Sequence, residues 1–239
     1  MRLEREENRA HWNALGAGYS EVWRTPSRQR ISAQELSFIE RNCPQLPGVY
    51  LDVGCGNGRI LALHDRLAPP EARLTGVDIA EAMLAVCRGL NFSHPIQFLC
   101  ADIAAGGLPE EAGGNFVFIS AIRVLKYNSE WKAAVKALAD RLAPGGVLVF
   151  TMPNKHSLNI FGRTAVKFYR TTKTELRALA GQSGLEVIVI RGFSRIPDIL
   201  YTIPGRFMDW LLAAGEALLQ LIFGKAFLQR ELFIALRRR

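Results

Sequence analysis

The sequence predicts a doubly wound α/β fold, in which a parallel sheet is covered by helices on both faces. From residue 48 onward, short apolar runs alternate with stretches of helical periodicity, and this alternation is typical of parallel sheets. The apolar runs are nearly continuous rather than alternating with polar residues, which indicates strands buried on both faces. In addition, a glycine-rich turn follows the first run, VYLDV, directly.

The predicted elements follow in chain order. Seven strands are expected, at residues 49–53, 74–79, 96–102, 115–122, 145–153, 185–193 and 231–239. Between them, helices are expected at 57–68, 80–90, 131–143 and 172–184, the last opened by the capping-box pattern of Thr172 and Glu175.

Two helical regions lie outside this core pattern. Residues 3–42 are predicted to form two helices that break near Thr25-Pro26, because proline disfavours helix at the preceding residue. A mostly helical insert precedes the last strand. We see no repeat or linker and therefore predict one domain over 1–239. Its parts are an N-terminal helical cap (1–45), a central core (46–193), a helical insert (194–230) and the last strand (231–239).

Composition limits the function classes. The four cysteines have neither CxxC nor metal-ligand spacing, so we expect no disulfide scaffold, no metal site and a reducing compartment. The charged N-terminus and the lack of an 18-residue apolar run predict a cytoplasmic protein. The net charge of +8 fits an anionic substrate or a membrane surface. It favours nucleic acid less, since aromatic residues do not alternate with the basic ones.

The segment VYLDVGCGNG places glycines at 54, 56 and 58, where a strand ends and a helix begins. Glycine in ordered chain is entropically costly, so the cluster indicates positive φ angles or a ligand that touches bare backbone. A helix N-terminus at this position also offers free N–H groups. Alone, the cluster is a weak signal for a ligand site.

Acidic residues at the ends of the next two strands strengthen the signal. Asp78 lies 20 residues beyond Gly58 and can accept both hydroxyls of a ribose. Asp102 ends the third strand. Asp52 would repel a pyrophosphate but could bind an ammonium group, and Arg59 occupies the place of the third glycine of a dinucleotide motif. These residues favour a ligand with an amine, a ribose and an adenine but no phosphate.

With these residues, the chain resembles class I S-adenosylmethionine-dependent methyltransferases over nearly its whole length. LDVGCGNG is similar to the first family motif, VDIAEAML to the second and CADI to the third. FVFISAIRVLKY resembles the fourth motif and LAPGGVLVFTMPN the fifth. The resemblance implies a Rossmann-like, seven-stranded methyltransferase sheet, S-adenosyl-L-methionine as cofactor and S-adenosyl-L-homocysteine as product.

The resemblance also implies a role for individual residues. Asp52 and the glycines would face the methionine part of the cofactor, Asp78 would hold the ribose, and Asp102 would accept from the adenine amino group. The residues that it implies for cofactor binding are Tyr19, Asp52, Gly54, Cys55, Gly56, Asn57, Gly58, Asp78, Ile79, Met83, Ala101, Asp102, Ile103 and Ser120. For Tyr19 an alternative stays open, since it could instead form a helical packing stripe with Trp12 and Trp23.

Residues for the chemistry are less clearly marked. Many small-molecule members carry a histidine after the fourth strand, where this chain has RVLKY, and Arg123 and Tyr127 of that segment are candidates to bind the substrate. His156, in the loop after the fifth strand, is the candidate general base, with loop surface as the alternative. His11 is a weaker candidate, while His64 and His94 are expected to be structural or solvated.

The helix predicted at 206–224 has a much broader apolar surface than a normal surface helix. Internal packing or a homodimer is the favoured interpretation. Because Arg206, Lys225 and Arg230 flank it, peripheral membrane contact stays open.

We therefore expect a methyltransferase that acts on a small, hydrophobic metabolite by O- or N-methylation. The alternatives are methylation of a lipid or quinone at the membrane surface, and a non-catalytic scaffold that binds S-adenosylmethionine.

Overall fold

The computed structural model describes residues 2–157, 166–224 and 228–239. Part of the predicted insert, residues 225–227 with Lys225, lies outside the described residues. The strands are β1 Val49–Val53, β2 Arg73–Asp78, β3 Ile96–Cys100, β4 Phe116–Ala121, β5 Leu142–Pro153, β6 Leu185–Phe193 and β7 Glu231–Arg238. The α-helices are α1 Arg2–Leu15, α2 Pro26–Asn42, α3 Arg59–Leu67, α4 Glu81–Arg88, α5 Ile103–Gly106, α6 Trp131–Asp140, α7 Lys173–Gln182 and α8 Arg206–Phe223.

The seven strands form one sheet in the order β3-β2-β1-β4-β5-β7-β6. Strands β1 to β5 pair in parallel, whereas β7 lies antiparallel between β5 and β6. The predicted α/β sheet with helices on both faces is thus confirmed. The chain runs outward from β1 in one direction through β2 and β3, and in the other through β4 and β5. Ligands of such sheets bind beyond the carboxyl ends of the strands at this switch point.

Two hydrophobic clusters cover the opposite faces of the sheet. Successive side chains of a strand point to opposite faces, and β1 shows the result. Leu51 packs in the cluster that includes Trp131 of α6, while Tyr50 packs in the cluster that includes Phe38 of α2 and Leu61 of α3. The sheet is therefore buried on both sides, which explains its nearly continuous apolar strands.

The helix boundaries follow local capping. Thr25 caps α2 by accepting a hydrogen bond from the Arg28 N–H at 3.3 Å, and Pro26 occupies the first turn. The predicted capping box of Thr172 and Glu175 is present at α7. The N-terminal cap differs from prediction in one segment, since Gly16–Trp23 is a 3-10 helix rather than a continuation of α-helix.

Candidate functional site

A cleft opens at the carboxyl edge of the sheet, beyond the ends of β1 to β4. The cap closes it from the other side, because Glu4, Arg5, Asn8 and Trp12 of α1 are among its lining residues. The cleft is lined by Glu4, Arg5, Asn8, Trp12, Tyr19, Val53, Gly54, Gly56, Val77, Asp78, Ile79, Met83, Ala101, Asp102, Ile103, Ala104, Ile122, Arg123, Val124, Leu125, Tyr127, Asn128, Ser129 and Glu130.

The three glycines of the turn after β1 all have positive φ, at 67°, 54° and 90° for Gly54, Gly56 and Gly58. A Cβ on Gly54 would lie 1.9 Å from Val124 Cγ2, and one on Gly58 would lie 2.7 Å from Cys87 Sγ. A Cβ on Gly56 would meet nothing closer than 3.9 Å. Gly54 and Gly58 are thus required by packing, while Gly56 leaves bare backbone beside the open cleft.

Asp78, at the end of β2, connects its strand to this turn. Its carboxylate accepts hydrogen bonds from the Gly56 N–H at 2.8 Å and from the Ala80 N–H at 2.9 Å. Burial raises the pKa of Asp78, and these N–H donors oppose the rise. A carboxylate offers about four lone-pair positions, and the N–H groups of Gly56, Ile79 and Ala80 leave at least one of them for a ligand in the cleft.

Asp102 lies at the neighbouring strand end. One of its oxygens caps α5 by accepting from the Ala104 N–H at 2.9 Å, and the other lies 3.9 Å from Arg5 Nε of the cap. Between the two acids, Ile79 and Met83 supply apolar walls. The edge therefore combines two carboxylates with an apolar slot, which suits a nucleoside better than a phosphate.

Asp52 lies beneath the cleft rather than in its lining. It is 1% exposed, and its Oδ1 accepts a hydrogen bond from Ser120 Oγ at 2.6 Å. Ser120 Oγ also lies 3.1 Å from Nε2 of His64, which is fully buried. Among the described residues, neither Asp52 Oδ2 nor His64 Nδ1 has a hydrogen-bond partner.

Asp52, Ser120 and His64 thus form a buried triad. Burial shifts the pKa values of Asp52 and His64 in the directions that favour the neutral form of each group. It raises the pKa of Asp52 to about 7 and lowers the pKa of His64 to about 3. The hydrogen bond from Ser120 partly opposes the shift of Asp52.

Three aromatic side chains form the roof of the cleft. The rings of Trp12 and Tyr19 meet edge to face at 5.8 Å, and those of Trp12 and Tyr127 at 5.3 Å. The Asn8 side chain donates to the Tyr127 carbonyl at 3.0 Å, which fixes α1 to the loop after β4. Tyr19 packs against Trp12 and Trp23 and also lines the cleft. Its contact with the cofactor stays a prediction.

A buried carboxylate joins the cap to the two loops of the site. Glu35 of α2 accepts from Arg59 at 2.6 Å and from Arg123 Nε at 2.5 Å, and its side chain is fully buried. Burial alone would raise the pKa of Glu35, but the two guanidinium groups lower it below its usual range. Arg123 lines the cleft, and its Nε donates to the Glu35 carboxylate. Its role in substrate binding stays a prediction.

Several predicted site residues lie elsewhere. Within the described part of the chain, Cys55, Asn57, Gly58 and Ser120 do not line the cleft. His156 is exposed and is not among the described residues that line the cleft, and its backbone N–H donates to Asn154 Oδ1 at 3.1 Å. Its role as a base stays a prediction. His94 is structural, as expected, since its ring contacts Asp65 at 2.8 Å.

The residues that sequence reasoning missed belong mainly to α1. Glu4, Asn8 and Trp12 recur every four residues and therefore lie on one face of the helix. This spacing could have been recognised in the sequence. The sequence does not show, however, that this helix face covers the cleft.

The chain segment that carries the glycine turn and the acidic residues of the cleft matches known proteins. A family model described as a methyltransferase domain matches residues 51–146, which include the glycine turn, Asp78 and Asp102. The ubiquinone biosynthesis O-methyltransferase of Idiomarina loihiensis is 35% identical over 53% of this chain, and the chain spans about half (51%) of that relative's length. The enzyme of the same name from Chromobacterium violaceum is 28% identical over 70% of this chain and 77% of the relative.

Among solved structures, magnesium protoporphyrin IX methyltransferase from Synechocystis PCC 6803 with bound SAH is similar with a TM-score of 0.65. It covers 99% of this chain and 100% of that one at 16% identity, so this likeness concerns the fold. Over residues 51–146 the chain matches a methyltransferase domain, and its fold is that of the class I S-adenosylmethionine-dependent methyltransferases. The fold that the sequence resemblance implies is thus confirmed, and the SAH bound in the neighbouring structure agrees with S-adenosylmethionine as the expected cofactor.

The residues that line the cleft fit S-adenosylmethionine. Gly56 keeps the backbone open where a side chain would enter the cleft. Asp78 and Asp102 can accept from hydroxyl and amino groups, and Ile79 and Met83 can enclose a flat base. The Arg5 guanidinium lies beside Asp102, with its Nε 3.9 Å from Asp102 Oδ2.

Proposed function

We propose that this methyltransferase transfers a methyl group to a hydroxyl oxygen of a hydrophobic, quinone-type small molecule. The observation that carries the proposal is the two-part cleft, in which a carboxylate-lined edge of the sheet faces an aromatic roof contributed by the cap. The names of the curated relatives, ubiquinone biosynthesis O-methyltransferase, support oxygen as the methyl acceptor and a quinone-related ring as its carrier.

In this proposal the sheet edge holds the cofactor. Asp78 would accept from the ribose hydroxyls with the lone-pair positions that its backbone N–H donors leave free. Asp102 would accept from the adenine amino group, while Ile79 and Met83 pack against the base. S-adenosylmethionine, when bound, supplies an electrophilic methyl group on a sulfonium centre.

The acceptor ring would lie under the aromatic roof. Trp12, Tyr19 and Tyr127 present apolar ring surface to the cleft, and aromatic pairs contribute about 0.5–1.5 kcal/mol beyond their buried area. The polar groups of Glu4 and Asn8 on the same helix face can orient a hydroxyl. The roof thus selects a flat, largely apolar acceptor.

The described lining residues include no histidine, but they include the carboxylates of Glu4 and Glu130, which are the proton acceptors available in the cleft. Positioning of the two reactants would supply much of the acceleration. A ring hydroxyl has a pKa of about 10, like that of tyrosine, and can release its proton more readily than an aliphatic alcohol. This favours a phenolic acceptor over an aliphatic one.

The proposal is tested with labelled S-adenosylmethionine and two pairs of acceptors. Each pair consists of an ortho-dihydroxy aromatic ring with or without an isoprenoid tail, and of the matching ring amine. We expect label in the organic phase with the prenylated diol, less with the bare diol and none with the amines. Label on the amine but not the diol would contradict O-methylation.

A second readout separates catalysis from binding. S-adenosylhomocysteine affinity is measured by calorimetry on the same preparation, with Asp78→Ala as the binding-deficient control. Tight binding without transfer to any diol would overturn the enzymatic proposal and leave the scaffold alternative. Absence of binding would overturn the assignment of the cleft itself.

A further inference from the structure

Helix α8 attaches to the protein by its polar side. Asp209 forms an ion pair with Arg30 of α2 at 3.0 Å. Glu216 accepts hydrogen bonds from the Ile196 N–H at 2.9 Å and from the Tyr201 hydroxyl at 2.7 Å. Both acidic residues of the helix are therefore satisfied internally, and neither contributes negative charge to the outer side.

The outer side of the same helix is apolar. Phe207, Trp210 and Leu221 are 74%, 63% and 82% exposed, and the rings of Phe207 and Trp210 stack at 6.1 Å. The α8 face is defined by Phe207, Trp210, Leu211, Ala214, Leu218, Leu221 and Ile222, whose spacing places them on one stripe. Among residues 206–223, all of them described, Leu212 alone is buried.

The sequence favoured internal packing or a homodimer for this helix. The structure turns the most apolar stripe of α8 to the surface, which argues against internal packing and leaves a partner of this face to be identified. Contiguous exposed apolar patches of this kind mark sites of contact with another protein or a membrane. The charge of the α8 face and of the chain favours one of these two partners over the other.

A second copy of the chain is the weaker occupant on grounds of charge. Pairing two copies would bring together two chains that each carry a net charge of +8, and the α8 face has no acidic residue that would offset their repulsion.

A bilayer with anionic lipids fits better, because an interfacial helix needs only to bury its apolar stripe in the headgroup region. The α8 face carries no acidic residue, and Arg206 is exposed at its N-terminal end. The attraction comes from the net charge of the chain rather than from all the predicted flanking residues, since Arg230 is buried with its guanidinium 5.0 Å from the Tyr201 ring.

We propose that the α8 face docks in the plane of an anionic phospholipid bilayer surface. In the described part of the chain no helix is long and apolar enough to cross a membrane, so the contact is interfacial. Such docking would bring the cleft to the place where a hydrophobic acceptor resides. That last link rests on the proposed function, whereas docking itself is measured without any acceptor, so a failure of either is recognised separately.

The test is co-sedimentation of the full chain with vesicles of phosphatidylcholine, with or without phosphatidylglycerol. We expect binding to the anionic vesicles and its weakening at high salt, as charges are screened. The variant combines Trp210→Ser, Leu218→Ser and Leu221→Ser, all exposed positions. It should lower the partition coefficient at least about tenfold, since each buried CH₂ contributes about 0.8 kcal/mol to membrane binding.

A matched control keeps the number of removed apolar side chains constant. Val22→Ser, Leu46→Ser and Ile188→Ser, also exposed and outside α8, should leave binding unchanged within about twofold. Equal co-sedimentation of both triple variants, or no binding of the wild-type chain, would overturn the proposal. A dimer in light scattering that the α8 variant alone dissociates would instead assign the face to a second copy.

Discussion

The edge of the sheet presents polar side chains to a cleft, whereas helix α8 presents apolar side chains to the surface. At the edge, Asp78 and Asp102 stand at strand ends, fastened by backbone N–H donors and still open to the cleft. On α8 the carboxylates of Asp209 and Glu216 turn inward, and the apolar stripe turns outward. The first arrangement prepares a polar site inside an apolar body, and the second presents an apolar surface on a basic protein.

The difference teaches where exposure carries functional meaning. A buried carboxylate is costly unless it is hydrogen-bonded, so the bonds at the edge explain how the acids persist there. An exposed apolar stripe has no such explanation among the described residues, and we propose that its partner is a bilayer surface. The following predictions test the two regions against one another.

The largest effect is expected where the cap meets the edge. Glu35→Ala removes the carboxylate shared by Arg59 and Arg123 and leaves two guanidinium groups without their buried partner. We expect a loss of about 3 kcal/mol in the free energy of unfolding, measured by urea denaturation. Leu221→Ser on the α8 face should change it by less than about 0.5 kcal/mol. Equal effects of the two changes would remove the contrast between the regions.

The buried triad predicts a pH effect. The pKa of Asp52 is raised to about 7 in the folded protein, so between about pH 4 and pH 7 the folded chain holds a proton that the unfolded chain has lost. This contribution makes stability fall as pH rises. Asp52→Asn removes it. From pH 5 to pH 7 the stability of the variant relative to wild type should rise by about 2 kcal/mol.

His64 acts in the opposite direction, because its pKa is lowered to about 3 and the unfolded chain binds the proton below about pH 6.5. Its contribution to stability therefore grows with pH over about 3 to 6.5 and largely cancels that of Asp52 between about pH 4 and 6.5. His64→Gln should expose a decline of stability over this pH range that the wild type does not show. Parallel pH profiles for the wild type and both variants would show that neither group has a shifted pKa.

Cofactor affinity is expected to respond more modestly. Asp78→Ala should weaken S-adenosylhomocysteine binding about tenfold, or about 1.4 kcal/mol, in calorimetry. Glu81→Ala, an exposed acid three residues further on, serves as the control and should bind normally. Unchanged affinity of the Asp78 variant would move the ribose site away from this strand end.

The smallest effect is expected at the histidine that the sequence suggested as a base. His156 is exposed and outside the cleft lining. His156→Ala should therefore leave single-turnover methyl transfer within about twofold of wild type at each pH. Loss of the basic limb of the pH profile in this variant would restore His156 as a general base and require a rearrangement of its loop.

The parts of the site that could be predicted are those attached to strand ends. Gly56, Asp78 and Asp102 were placed together because carboxyl ends of neighbouring parallel strands share one edge of a sheet. Trp12 and Asn8 of α1 could not be assigned to the same cleft, since their contact with Tyr127 spans more than a hundred residues. Local periodicity defines a helix face but does not say what it covers.

The direction in which the polar stripe of α8 points could not be predicted from the sequence either. The stripe of Asp209 and Glu216 was visible in the sequence of α8, and a polar stripe normally faces water. Here Asp209 faces Arg30, which lies 179 residues earlier in the chain, while Glu216 faces Tyr201, which lies 15 residues earlier. In the same way, Arg123 forms an ion pair with the Glu35 carboxylate, and the sequence near Arg123 gives no sign of that partner.

The sequence by itself determined the α/β class, the strands, the glycine turn and the acids of the cofactor edge. These depend on periodicity, backbone freedom at glycine and strand-end position, all of which are local properties. The tertiary structure alone decided that α1 covers the cleft, that Asp52 lies buried beneath it with Ser120 and His64, and that α8 turns its apolar stripe outward. Those outcomes depend on which distant groups can satisfy one another, and that pairing exists only once the chain has folded.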